Sequence, residues 1–128
     1  MAQRNYGLTL NYKAITTGGI PKYRIVKFGA NENEVDLATA AADLSIGVSS
    51  DIDSALNERC DVIRSGLVPV LYGGTVTRGA FLTSDATGRA IAATAAAGAN
   101  IRIIGIAEVS GVVGDIGSMV LAPGSFQG

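Results

Sequence analysis

The sequence predicts a mainly β protein: a small β-barrel or sandwich domain with Gly-rich turns, preceded by an extended N-terminal arm. Apolar residues come in short runs bounded by Gly, Asn or Asp, and none keeps helical spacing long enough to propagate a helix. Residues 66–92 show the pattern in full: a strand, a Gly73-Gly74 turn, a second strand, an Asp85-Ala-Thr-Gly88 turn and a third strand. Seventeen glycines, no Trp and little aromatic content mean that burial must come from many small contacts.

At the N-terminus Tyr6, Leu8, Leu10 and Tyr12 alternate with Gly7, Thr9 and Asn11, the period of a strand. Gly18 and Gly19 can act as a hinge, and Pro21 restarts the chain in an extended conformation. Residues 1–19 therefore read as an arm and residues 20–128 as a single β-rich domain. The competing reading makes residues 6–12 the first strand of the domain's own sheet, and both hold if the arm pairs with a neighbouring subunit.

Short strands are expected at residues 23–28, 35–37 and 44–49. Between the first two, Gly29-Ala-Asn-Glu-Asn-Glu is turn chemistry, because Asn31 and Asn33 tolerate left-handed backbone angles. The Ala-rich residues 39–43 have room for one helical turn and read as a loop, while residues 50–58 suit either a short helix capped by Ser50 or Asp51 or a long polar loop. Residues 59–65 alternate. Residues 67–72 are apolar on both faces, and Pro69 among them argues for an edge position or a bulge. Such a strand belongs either in a double-layered core or at a subunit interface. A low-complexity loop at 93–100 leads to strands at 101–109 and 117–123, followed by an unstructured Gly-Ser-Phe-Gln-Gly tail. Laid on itself with a shift of about 58 residues, the chain matches Ile46-Gly47-Val48 to Ile104-Gly105-Ile106 and Val62-Ile63 to Val120-Leu121, a faint sign of two related β halves.

At 128 residues the chain is long enough for one core, and an assembly partner would add appreciably to its stability. Ten basic residues against eleven acidic ones, with neither sign gathered into a block, argue against nucleic-acid binding, since Lys13, Lys22, Arg24 and Lys27 are scattered. The N-terminus lacks the apolar region of a signal peptide and no apolar run spans a membrane, so neither is expected. Cys60 is alone, which rules out an intrachain disulfide; alternating with Val62, it reads as a small buried hydrophobe rather than a reactive thiol between Arg59 and Arg64.

Catalytic chemistry finds little to use. The absence of His removes the commonest general base and metal ligand, and a single Cys cannot build a Cys/His zinc site. Asp51 and Asp53 have the Asp-x-Asp spacing of calcium loops, but Ala55 and Leu56 stand where such a loop needs Asp or Asn and then Gly. Gly111-Val-Val-Gly-Asp-Ile-Gly lacks dinucleotide-binding spacing. No catalytic, cofactor or metal residues are assigned, and no small-molecule substrate is expected; recognition through surfaces is what remains.

The succession Ile46-Gly47-Val48-Ser49, Val62-Ile63 with Gly66-Leu-Val-Pro-Val, Gly79-Ala-Phe-Leu-Thr-Ser-Asp-Ala-Thr-Gly-Arg-Ala-Ile91 and Ile104-Gly105-Ile106-Ala107-Glu resembles the small capsid decoration, or cement, proteins of tailed bacteriophages. The resemblance covers about residues 20–123 and rests on turn and strand patterns. It implies a barrel- or tulip-like β domain, made in the host cytoplasm, that forms homotrimers on the outer surface of an icosahedral head. There it bridges capsomers and braces the expanded shell, its partners being the major capsid protein and itself, with no cofactor and no catalysis. Within that resemblance Tyr6, Leu8, Leu10 and Tyr12 become the expected capsid-contact residues of the arm, since an alternating terminal strand can add to an exposed sheet edge. Leu67, Val68, Val70 and Tyr72 become candidates for the trimer interface. The alternatives are a tail-tube or fibre component, or a β module binding carbohydrate; the last has no Trp to stack on a sugar.

Overall fold

Alternating small aliphatic residues favour pleated, half-buried strands, and the computed structural model consists of them. It describes residues 5–94 and 97–127, the side chains of residues 5, 6, 126 and 127 excepted. The strands are β1 (Asn5–Tyr6), β2 (Thr9–Ala14), β3 (Ile25–Phe28), β4 (Glu34–Leu37), β5 (Ser45–Ser49), β6 (Arg59–Ile63), β7 (Gly66–Leu71), β8 (Phe81–Ser84), β9 (Ala90–Ala92), β10 (Asn100–Ala107) and β11 (Ile116–Gln127). Among the described residues there is no helix.

The first half closes into a barrel in the order β2-β4-β3-β5-β6. Ala14, Val26, Val35, Ile46, Cys60 and Val62 fill its interior. The second half forms a sheet in the order β1-β7-β11-β10-β8-β9, and a parallel bridge from Tyr72 to Ala90 draws β9 back to the end of β7. Its core of Val68, Val70, Tyr72, Leu82, Ile104, Met119 and Leu121 is completed by Ile25, Val48 and Ile63 from the outer wall of the barrel. Neighbours such as Val62 and Ile63 thus bury in opposite directions, one inside the barrel and one between the halves. This is why those runs are apolar on both faces.

The two halves share one plan. Reading β7, β9, β8, β10 and β11 as counterparts of β2, β4, β3, β5 and β6, the order of pairing is the same, and the first-to-third connection is parallel in both. Gly47 and Gly105 hold matching positions: a Cβ would lie 2.3 Å from the Ile63 carbonyl oxygen in one and 2.4 Å from that of Val120 in the other. Both lie beside an irregularity in register. Val48 pairs with Ile63 and Ile106 with Val120, so at the last strand the halves run one residue out of step with a uniform shift of 58.

Several expectations are corrected. The arm is not a separate element from Thr9 onward: β2 pairs with β6 over Thr9 to Lys13 and with β4 at Lys13 and Ala14, and Ala14 is fully buried. Gly18 and Gly19 do not form a hinge but a turn, closed by the Gly19 N–H donating to the Thr16 carbonyl and anchored by the pair of bonds between Ile20 and Ser54. Of the two forms expected for residues 50–58 the chain takes the loop, in which Asp53 accepts from the Lys22 N–H and Glu58 from the Ala55 N–H. The tail expected to be unstructured continues β11 as far as Gln127, paired with β10. Pro69 lies on β7 beyond the two residues that β1 reaches, Gly66 and Leu67.

Candidate functional site

One end of the barrel gathers exposed apolar side chains. Inward-facing positions of a barrel strand alternate, and the last of them at an open end have no further layer above. On β2 the inward series Ala14, Tyr12, Leu10 runs out toward Leu8, whose backbone meets Arg64 at the end of β6. On β3 the series Val26, Phe28 leaves Phe28 at the same end, and one position beyond the Lys27–Ser45 pair Leu44 stands next to it. Leu8, Leu10, Phe28 and Leu44 are all exposed, the last at 67%.

The rim is held in place. The Tyr12 and Phe28 rings meet edge to face at 6.5 Å between centroids. The Arg64 guanidinium lies 5.5 Å from the Phe28 ring centroid and donates from Nη1 to the Tyr12 hydroxyl at 2.7 Å. A cation over an aromatic face contributes roughly 0.5–1 kcal/mol at an exposed site. The turn behind Phe28 is tied by the Gly29 N–H to the Glu34 carbonyl at 2.8 Å and by the Asn31 N–H to Glu34 Oε1 at 3.1 Å, with Asn33 at φ 64°. Leu8 is anchored by its N–H donating to Ser65 Oγ at 2.7 Å. The result is an apolar ring on a braced frame.

Of the expected arm residues, Leu8, Leu10 and Tyr12 come together here, and Tyr6 is described by its backbone alone, paired with Gly66. Phe28, Leu44 and Arg64 join them, three residues that were not expected at any contact site. The readable signal was the alternation of Val26 with Phe28 and of Leu44 with Ile46, which marks two more inward series ending at the same side. Of the residues expected at a subunit interface, Val68, Val70 and Tyr72 are fully buried in the chain's own core and have no area left to offer a partner; Leu67, half-buried, points the other way. Cys60 is inside the barrel, where burial pushes its thiol up.

A family model described as phage cement protein matches residues 4–121. Among solved structures, the fold is similar to the head fibre gp8.5 N base of bacteriophage phi29, with 16% sequence identity over 90% of this chain and 95% of that one and a TM-score of 0.69. Among curated proteins, none matches at a significant level.

Proposed function

The chain belongs to the phage cement protein family, and on that premise we propose that it is a structural protein of the virion that binds the outer surface of an icosahedral head as a homotrimer, bridging capsomers and stabilising the expanded capsid. It works by adhesion, with no catalytic step and no cofactor. The observation that carries the reading is the exposed apolar rim of the barrel, Leu8, Leu10, Phe28 and Leu44 around Tyr12 and Arg64. This rim is the proposed contact with the major capsid protein, made by a braced strand end rather than by a free arm; Tyr6, beside it on β1, is kept in the proposed contact set. Each large aliphatic or aromatic residue buried there would contribute roughly 1.5–3 kcal/mol. Attachment through several subunits of one oligomer multiplies weak single contacts into a tight hold.

The test is binding of the purified chain to expanded heads, compared with Leu8→Ser and Phe28→Ser. Both side chains are exposed, so the variants are expected to fold and to bind at least tenfold more weakly. Wild-type protein that ignores expanded heads, or folded variants that bind like wild type, would remove the assignment. A second reading, a base on which a head fibre stands, is favoured by the likeness to the phi29 head fibre base; electron microscopy of decorated heads separates a flat knob from a fibre.

A further inference from the structure

Two cations stand opposite each other on the outer wall of the barrel. Lys13 on β2 is in register with Arg59 on β6. Their neighbours Tyr12 and Cys60 pack into the barrel interior, so both charged side chains point outward. Like charges directly opposite on adjacent strands destabilise a sheet. Among the described residues neither side chain meets a carboxylate: Arg59 donates from Nη1 to Asn11 Oδ1 at 2.7 Å, and Lys13 Nζ has no partner.

The carboxylates nearest along the strands are engaged elsewhere. Glu34, opposite Lys13 on β4, accepts from the Asn31 N–H at 3.1 Å, and Glu58, next to Arg59, accepts from the Ala55 N–H at 2.9 Å. Asp61 accepts from Asn11 Nδ2. Acting through Asn11, Asp61 orients the Arg59 guanidinium instead of pairing with it.

The two cations lie in a hollow of about 460 Å³ lined by Asn11, Tyr12, Lys13, Asn33, Asn57 and Arg59, with no carboxylate in its lining. Its flanks are fixed to β2 through the backbone, where the Lys13 N–H donates to the Asn33 carbonyl and the Asn57 N–H to the Ala14 carbonyl, both at 2.8 Å. Asn33 and Asn57 sit at φ 64° and 70°, and neither side-chain amide is engaged among the described residues. An ammonium, a guanidinium and two amide donors therefore share one concave site. The site adjoins the apolar rim, since Tyr12 and Asn33 also line the neighbouring depression that reaches Phe28.

We propose that this hollow takes the carboxylate of an Asp or Glu side chain from the protein that docks on the rim. A carboxylate between Lys13 and Arg59 replaces their repulsion with two attractions, and charge-assisted bonds of this kind are the strong ones. The guanidinium, already turned by Asn11, loses little freedom in forming them. The identity of the partner as the major capsid protein rests on the proposed function; the carboxylate does not.

Binding of the full chain to expanded heads reads the contact, with wild type set against the double variant Lys13→Gln, Arg59→Gln at salt from about 0.05 to about 0.5 M. The variant is expected to unfold no earlier than wild type, to bind heads at least tenfold more weakly at low salt and to lose most of the salt dependence. Should the double change unfold the chain, Lys13→Gln alone removes one cation that bonds to nothing and is read in the same way. A folded variant with wild-type affinity, or with weaker binding of unchanged salt dependence, overturns the proposal. Wild-type protein that ignores heads removes the capsid reading instead, and the hollow is then read on the free chain. Titration with tetraglutamate is expected to shift the side-chain NMR signals of Asn33, Asn57 and Arg59 saturably in wild type and not in the variant. No saturable shift overturns the carboxylate site, and so does inorganic phosphate that saturates these signals at lower concentration than tetraglutamate.

Discussion

The Tyr72 hydroxyl donates to the Val109 carbonyl oxygen at 2.6 Å from within the core of the second half. It reaches a second carbonyl, that of Ser118, at 3.4 Å, and its ring lies against Gly111 and Gly117. A core of Val, Ile, Leu and Met takes one full-width aromatic here because two glycines leave room for it and two backbone carbonyls satisfy its polar end.

Tyr72→Phe keeps the ring and removes the donor, leaving the Val109 carbonyl without this bond. The expected cost is about 1–2 kcal/mol, read as a lower urea midpoint with an unchanged slope. An unchanged midpoint would mean that water serves the carbonyl equally well.

Two glycine substitutions should differ sharply. A Cβ on Gly117 would lie 2.1 Å from Tyr72 Cζ, whereas one on Gly114 meets open space and pays only for a φ of +89°. Gly117→Ala is expected to cost about 3 kcal/mol or more, by overpacking, and Gly114→Ala about 1 kcal/mol. Thermal unfolding of the pair checks the order.

Acid should weaken the fold through Asp85 and Asp43. Burial pushes the Asp85 carboxyl up, but bonds from the Thr87 and Arg89 N–H groups and from Arg89 Nε at 2.8 Å outweigh it, and the net direction is down. At Asp43 burial is likewise outweighed, by Thr39 and by Lys27 at 3.2 Å. A folded value below the unfolded one gives stability that is full above the ordinary carboxylate value of 3.8. It is lost as pH falls through the depressed folded values. Asp85→Asn should flatten that acid limb in denaturation series run from neutral to pH about 2, the low end of carboxylates held by several N–H bonds; a limb of unchanged steepness would assign it to other groups.

Removal of residues 2–17 should destroy the fold rather than free it of an arm. The deletion takes β2 from between β4 and β6 and opens the barrel over Val35, Cys60 and Val62. Loss of the cooperative transition is the expected result, against retention of it when residues 2–6 alone are removed. A cooperatively folding chain lacking residues 2–17 would restore the arm.

Much of this was legible in the residues. Alternation and turn glycines located nearly every strand, and the match of Ile46-Gly47-Val48 with Ile104-Gly105-Ile106 reported a real equivalence, because both glycines are forced by a neighbouring carbonyl. Partnership was not legible. Period two tells which residues share a face but not what the face meets, so Leu8 to Tyr12 read as an arm when β6 was its partner, and Val68 to Tyr72 read as a possible interface when the barrel wall covered it. Phe28 and Leu44 were missed for the same reason: they join Leu10 only through barrel closure, which no local pattern announces.

The pairing of β2 with β6 also sets a timetable. Asn11 stands opposite Asp61, and 50 residues separate them. At a synthesis rate of about 5–20 residues per second, β2 leaves the ribosome roughly 3–10 s before its partner does. The apolar rim residues Leu8, Leu10 and Tyr12 spend that interval beside an open strand edge, interleaved with Thr9, Asn11 and Lys13, whose polar side chains discourage nascent chains from pairing with one another.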